Sequence, residues 1–320
     1  MSHKVFIDGQ AGTTGLEIHR RLAMRDDLEM LHIDSAQRKS STARRALINA
    51  ADVVILCLPD DAARESVALV SDPDVKVLDA STAHRVHDDW VYGLPELAPG
   101  QREAIAAASR VSNPGCYAQG FILLVRPLIG AGLLSPAQPL SMHAISGYSG
   151  GGRQMIERYE ARAQEQPTEL WHARSYALDL SHKHLSEMRE YARIDHTPIF
   201  SPTVGHYYRG MVVHVPIFAS QLSAPATPAS LTQVLAEHYS KEALVNVVAE
   251  PEALLEHGQL PPEGMNYTNG IELMVFGNEE RMLLTARADN LGKGASGAAV
   301  QNLNLMLGIE ELRGLLTAGE

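Results

Sequence analysis

Cysteine is almost absent, with two residues in 320, Cys57 and Cys116. Two thiols make no disulfide framework, and no Cys/His cluster has the spacing of a zinc site. A metal is therefore not expected, and each thiol has to be explained as core or as reagent. Runs of Lys and Arg are missing too. The net charge of −11 is spread along the chain, whereas a phosphate backbone requires clustered cations, so nucleic acid is excluded and a small molecule is the expected partner. No apolar run approaches the roughly 20 residues of a membrane span. The start, "MSHKVFIDGQ", is a polar lead into a short strand and not a secretory signal. A soluble cytoplasmic protein without a membrane partner is the expectation. Internal repeats and low-complexity tracts are also lacking.

What is present is enough apolar residue, 45% of 320, to fill more than one core. In the first third, "KVFI", "MLHI", "VVILCL", "KVLDA" and "SRVS" are short buried-strand runs, mostly separated by stretches of helical length and polarity. This alternation predicts an α/β fold with a Rossmann-type doubly wound parallel sheet. From about Leu140 the runs lengthen: "LSMHAISGYSG", "HTPIFSPTVGHYYRGMVVHVPIFAS", "GIELMVFG" and "RMLLTARAD", with few helices between them. They predict a second, α+β domain with a mixed or antiparallel sheet. A last helix near Ala295–Leu307 is expected to pack back onto the first domain, which assigns residues 1–115 and 295–320 to a nucleotide-binding domain and 116–294 to a catalytic and oligomerisation domain. "QLSAPATPAS" is expected to be a surface loop.

The first chemical motif is "FIDGQAGTTGLEIHRRL". Gly9, Gly12 and Gly15 follow an apolar strand and open a helical pattern, so backbone N–H groups, with Thr13 and Thr14 beside them, can face a phosphate. The G-x-x-G-x-x-G spacing departs from the commoner G-x-G-x-x-G, and a tight structural turn is the alternative. At the end of the second strand, "LHIDSAQRKSSTARR", Asp34 suits the ribose hydroxyl of NAD, while Ser35, Arg38 and Lys39 suit the 2′-phosphate of NADP. A carboxylate beside a phosphate dianion repels it, so the reading leans to NADP(H). A merely solvated loop is the alternative for Arg38 and Lys39.

In "SNPGCYAQG", Cys116 follows a Pro-Gly and begins an apolar segment suited to a buried helix. A cysteine at a helix N-terminus lies where unpaired N–H groups and the helix dipole stabilise the thiolate. Cys57, inside "VVILCLPDD", fits a small core residue instead.

At this point the chain resembles the N-acetyl-gamma-glutamyl-phosphate reductases of arginine biosynthesis in their shorter form, relatives of aspartate-semialdehyde dehydrogenase and, more distantly, of glyceraldehyde-phosphate dehydrogenase. The likeness rests on "GQAGTTG", "LPDDAA", "DASTAHR", "YGLPEL", "SNPGCYAQG", "SGYSGGGR", "HKH", "GHYYRGM" and "DNLGKGASGAAVQNLN", which span nearly the whole chain. Two elements depart from the commoner pattern: "HKH" is followed by "LSEM" where a Pro-Glu pair is more usual, and in "DASTAHR" the aromatic that often precedes the Arg is absent.

The resemblance implies NADPH-dependent reduction of an acyl phosphate to an aldehyde, with Cys116 attacking and a thioester accepting hydride. A histidine is the expected proton carrier. His182 and His184, two apart, point to opposite sides of a strand or about 200° apart on a helix, so one of them is expected to face Cys116; His184 is weighted over His182, with His206 third. Arg85, Asn113 and Arg209 are the expected substrate-binding residues, and Arg153 is a further anion ligand or the start of a surface helix. Asn290 or Gln301 is expected on the nicotinamide amide, Asn290 being the assigned cofactor residue. "SGYSGGG" offers a backbone free to approach a ligand or a neighbouring strand. A homodimer or homotetramer through the second sheet is expected. The alternatives are a related reductase acting on aspartyl phosphate or an aminoadipate derivative, a nonenzymatic NADP-binding module, and a thiol-dependent aldehyde oxidation to a free acid. For the last, no Glu at a motif position activates water.

Overall fold

The computed structural model describes residues 2–316. The chain divides into two compact units, residues 2–114 with Ala295–Leu315, and Gly115–Gly294 joined by Leu316. Residue 1 and residues 317–320 of the expected first domain lie outside the described residues.

In the first unit, strands β1 (His3–Asp8), β2 (Leu28–Leu31), β3 (Val53–Leu56), β4 (Lys76–Asp79), β5 (Val91–Tyr92) and β6 (Arg110–Ser112) form one sheet in the order β2-β1-β3-β4-β6-β5. Every pairing is parallel. Helices α1 (Thr13–Leu22), α2 (Ser41–Ile48), α3 (Asp60–Val67) and α4 (Gln101–Ala107) alternate with the strands. A parallel sheet has to be covered on both faces, and the strands read accordingly: all four residues of "VVIL" in β3 are buried. Phe6, Val54, Leu56, Val77 and Trp90 belong to one core cluster closed by Ile48 of α2. Strand order reverses between β1 and β3, and ligands of doubly wound sheets bind outside the strand ends at such a reversal. The glycine motif follows β1 at that place.

The second unit holds β7 (Ser141–Gly147), β8 (Arg174–Ser175), β9 (Ile199–Gly205), β10 (Met211–Phe218), β11 (Val245–Val247), β12 (Ile271–Gly277) and β13 (Arg281–Ala288), ordered β11-β12-β13-β10-β7-β9-β8. β7–β9 and β11–β12 run parallel and the other pairs antiparallel, so the expected mixed sheet is present. Helices α5 (Cys116–Gly130) and α8 (Pro228–His238) cover one face, α5 lying on β10 and β13 and α8 on β12. The period-two pattern leaves the other face open. His143, Ile199, Pro216 and Phe218 are exposed there, Phe218 at 59%.

Contrary to the expectation of few helices here, α6 (Gly152–Glu165) and α7 (Leu185–Ala192) stand between β7 and β9, and α8 between β10 and β11. The longest of the three, α6, buries only Tyr159, so it shows no apolar periodicity to read. Arg153 lies at its start, exposed and paired with Glu157 at 2.7 Å, which is the surface-helix alternative. "QLSAPATPAS", Gln221 to Ser230, starts at the end of a short turn, Ala219–Gln221, and its last three residues open α8.

One π-helical turn, Gly292–Ser296, precedes α9 (Gly297–Leu307), and α9 packs against α1, α4 and β4 of the first unit. Gln301, the other residue considered for the nicotinamide, is fully buried. Its amide donates to Glu96 at 2.9 Å and Glu311 at 2.7 Å.

Across β12 and β13, Glu272 and Arg287 are register partners joined by a buried ion pair, Nε and Nη2 each 2.7 Å from Oε2. Removing one partner leaves an uncompensated buried charge, which costs about 3–5 kcal/mol. Glu272→Ala is expected to lose stability of that order in urea unfolding, whereas replacing both residues with apolar ones of similar volume recovers most of it.

Candidate active site

At the first strand–helix junction, Gly9 has φ +92°, and a Cβ there would overlap the Cys57 carbonyl at the end of β3. A Cβ on Gly15 would come within 2.7 Å of the Gly9 carbonyl. The chain's own packing therefore demands both glycines. Gly12 differs, since a Cβ there would meet nothing nearer than 3.5 Å. It is the N-cap of α1 and carries no side-chain cap, so N–H groups of the first turn, at Thr13 and Thr14, are left for an anion. These residues fit the pyrophosphate of a dinucleotide: an uncapped helix start at the reversal of strand order, with an open approach at Gly12.

After β2 the chain makes a short turn, Ser35–Gln37, whose N-cap is Asp34. The Asp34 carboxylate accepts the Ala36 N–H at 3.0 Å and so serves its own loop. Ser35, Arg38 and Lys39 are all exposed.

In the second unit, Cys116 is the first residue of α5, and Gly115, its N-cap, offers no side chain. Cys116 is partly exposed. The Gly115 N–H is held by Glu187 Oε2 at 3.0 Å, a carboxylate of α7 with no exposed surface. On the far side, a Cβ on Gly294 would sit 2.9 Å from the Cys116 Cβ, so only glycine allows that closeness. The next residue, Tyr117, ties the helix to the sheet: its hydroxyl is 2.6 Å from Ser146 Oγ on β7.

Both expected histidines are here. His182 and His184 lie edge to face with ring centroids 4.6 Å apart, and Tyr117 contacts each at 5.8 Å. His184 is the N-cap of α7 and 4% exposed. His182 Nδ1 accepts the His184 backbone N–H at 3.1 Å. Its Nε2 lies 3.5 Å from the Tyr176 hydroxyl, which donates to the Tyr117 hydroxyl at 3.3 Å. Burial first, and then the nearby Tyr176 and Cys116, push the Tyr117 phenol well above its usual range. Burial and Cys116 likewise raise Tyr176. Both phenols are therefore donors at neutral pH. His206 belongs to a separate aromatic group, tilted against Tyr148 and Tyr159 at 6.1 and 5.8 Å.

Arg209 is 6% exposed. Its Nη1 donates to Asp289 Oδ2 at 3.2 Å, and its guanidinium lies 4.7 Å from the Tyr267 ring centroid. Asp289 Oδ2 also accepts the Tyr267 N–H at 2.8 Å, and Oδ1 accepts the Leu291 N–H at 2.8 Å. The Asp289 carbonyl accepts the Gly294 N–H at 3.0 Å, so one residue fixes both Arg209 and the glycine that crowds Cys116. Asn290, expected on the nicotinamide, is buried at 2% and braces two loops, accepting the Gly210 N–H at 2.8 Å and donating to Ser149 Oγ at 2.9 Å. The neighbouring "SGYSGGG" approaches a strand end: the Gly147 N–H donates to the Gly210 carbonyl at 2.9 Å.

Arg85 and Asn113, expected on the substrate, lie in the first unit. Arg85 is 6% exposed and donates to the Asn113 carbonyl at 3.0 Å and the Ala80 carbonyl at 3.4 Å. The Asn113 amide donates to the Ala295 carbonyl at 3.1 Å and accepts from Asn302 at 3.1 Å. This geometry makes both braces of the loops after β4 and β6. Asp289, Glu187, Ser146 and Tyr176 were not singled out in the sequence. Asp289 and Ser146 had a signal, each standing at the start of a quoted motif.

Comparisons with known proteins agree with this division. Residues 116–290 match the model of the semialdehyde dehydrogenase dimerisation domain, and residues 40–108 that of the semialdehyde dehydrogenase NAD binding domain. An N-acetyl-gamma-glutamyl-phosphate reductase 2 of a Nostoc species is 48% identical over 318 residues, covering 98% of this chain and 99% of that protein. An N-acetyl-gamma-glutamyl-phosphate reductase of Brucella ovis is 50% identical over 315 residues, covering 96% and 100%. Among solved structures, aspartate semialdehyde dehydrogenase II of Vibrio cholerae superposes with TM-score 0.70 at 13% identity, covering 96% of this chain and 98% of that one. The enzyme of Francisella tularensis gives 0.70 at 14%, covering 96% and 100%. At such identities the structures share the fold.

The two thiols differ in environment. Burial, and then the carboxylates of Asp79 and Asp8, raise the Cys57 thiol to about 12, which leaves about one part in 10⁴ or less as thiolate near neutral pH. Iodoacetamide is expected to label Cys116 and spare Cys57 in peptide mapping. Equal labelling would contradict this contrast.

Proposed function

The chain belongs to the N-acetyl-gamma-glutamyl-phosphate reductases of the semialdehyde dehydrogenase family, and from that premise we propose that it reduces N-acetyl-gamma-glutamyl phosphate to N-acetylglutamate 5-semialdehyde and phosphate, with NADPH as reductant, in arginine biosynthesis. The observation that carries the reading is a partly exposed cysteine at the first position of an uncapped helix, with Tyr117, the next residue, in ring contact with two histidines.

His184 takes the Cys116 thiol proton, and the thiolate attacks the acyl carbon. As the carbon–oxygen bond to phosphate breaks, His184 returns the proton to the departing phosphate, and the acyl group is left as a thioester on sulfur. Tyr117 and Tyr176, kept protonated by burial, add no negative charge beside the thiolate. A reduced nicotinamide, when bound, supplies the hydride that takes the thioester to the aldehyde level. Collapse of that adduct frees the aldehyde and regenerates the thiolate. Arg209, held by Asp289, binds an anionic group of the substrate.

Gly9, Gly12, Thr13, Thr14 and Gly15 form the pyrophosphate seat. Ser35, Arg38 and Lys39 bind the 2′-phosphate, and the engagement of Asp34 with its own loop supports NADP over NAD. The open face of the second sheet is assigned to self-association, as a homodimer or homotetramer. The two free thiols fit a cytoplasmic setting.

With N-acetylglutamate semialdehyde, NADP and phosphate, the wild-type enzyme is expected to generate reduced nicotinamide, and to stop when any one is omitted. Activity with aspartate semialdehyde alone would replace the substrate, and activity without phosphate would make water the acceptor and change the reaction class. Cys116→Ser is expected to abolish turnover and keep cofactor binding. Arg38→Ala is expected to weaken NADP by about tenfold or more, in line with one lost charge-assisted contact, while NAD changes little. Equal losses would undo the cofactor assignment.

A further inference from the structure

Resting on the reaction proposed above, we infer that His182 is not a second proton carrier but a positioning residue: its imidazole, fixed as the neutral Nε2–H tautomer, captures the backbone N–H of His184 and so sets the direction of the catalytic ring.

The argument begins with a donor that has no choice. A backbone N–H can only donate, so the 3.1 Å bond from His184 N to His182 Nδ1 requires a lone pair on Nδ1. The ring proton then belongs on Nε2, which faces the Tyr176 hydroxyl at 3.5 Å. From there the donors run in one direction: Tyr176 donates to Tyr117 at 3.3 Å, and Tyr117 stands 2.6 Å from Ser146 Oγ. Making His182 an imidazolium puts a proton on Nδ1 and expels the His184 N–H.

The ring is packed among aromatic side chains. Facing the ring are Tyr176, Tyr117 of α5, His184 at the start of α7, and Phe200 of β9, whose ring centroid is 4.9 Å away. Cys116 is near enough to act on both phenols.

The bond also matters where it lands. His184 is the N-cap of α7, its φ and ψ are −89° and −5°, and its carbonyl accepts the Met188 N–H at 3.1 Å. Residue i accepting the N–H of residue i+2 is the geometry of an Asx turn, with imidazole Nδ1 in the place of a carboxamide oxygen. His182 thus fixes the backbone from which the His184 ring projects. A small misplacement of a proton carrier costs about 10²-fold in rate.

The mimicry supplies the test. Asn places its Oδ1 where His182 Nδ1 stands, whereas Gln places a polar atom where Nε2 stands. His182→Asn is expected to restore most of kcat, within about tenfold of wild type, where His182→Ala and His182→Gln each lose about 10²-fold, with the acid limb of the kcat profile unmoved in His182→Asn. In ¹⁵N-histidine-labelled wild-type protein, His182 Nδ1 is expected to keep its unprotonated resonance from about pH 6 to 9. A protonated Nδ1 in that range, or His182→Asn as slow as His182→Ala, overturns the inference. Because the resonance needs no substrate, it decides the tautomer even if the wild-type enzyme fails to turn over the acetylated substrate, an outcome that would count against the proposed function instead.

Discussion

A carboxylate with no exposed surface has to be satisfied on every side or it destabilises whatever holds it. Asp289 meets that demand by binding four things together: the Arg209 guanidinium, the N–H groups of Tyr267 and Leu291, and, through its carbonyl, Gly294. Tyr267 is held at φ +68°, a left-handed conformation that costs an ordinary residue about 1–2 kcal/mol. The bond from its N–H to Asp289 and the stacking of its ring on Arg209 offset that cost. Arg209 and the glycine against Cys116 therefore share one anchor. A change at Asp289 would move both.

Two helix starts are built alike. α1 and α5 each begin behind a glycine that contributes no capping side chain, so their first N–H groups and the positive ends of their dipoles remain for an anion. In the reaction proposed above, the anion at α1 is a cofactor phosphate and the anion at α5 is the Cys116 thiolate. At Cys57, desolvation and the carboxylates of Asp79 and Asp8 hold the thiol protonated.

Much of this was legible in the sequence because it depends on local rules. The strand runs, the glycine turn and the helix start at Cys116 all follow from periodicity and from glycine's freedom. The helix α6 was not legible, since it buries a single residue, Tyr159, and gives no apolar period. The partners at the site were equally hidden. Tyr176 lies 59 residues from Tyr117, and Glu187 lies 72 from Gly115, separations across which one chain carries no local signal. Arg85 and Asn113, expected on the substrate, also serve the fold. Their polar atoms are engaged with backbone and with Asn302, and the motif's residue types record a fold constraint as much as a ligand.

The polar lining around Cys116 obeys a further constraint. A charged group set beside the thiol would shift its titration, and a neutral phenol does so far less. Burial raises Tyr117 and Tyr176, and so keeps them protonated throughout the range in which a thiolate forms. They donate without carrying charge. Their chain ends on Ser146, a β7 residue whose register partner is Met211 of β10, so the donors are anchored in the sheet itself. A neutral, directional hydrogen-bond chain rooted in a sheet can hold the nucleophile's surroundings still while the charge on sulfur appears and disappears during turnover.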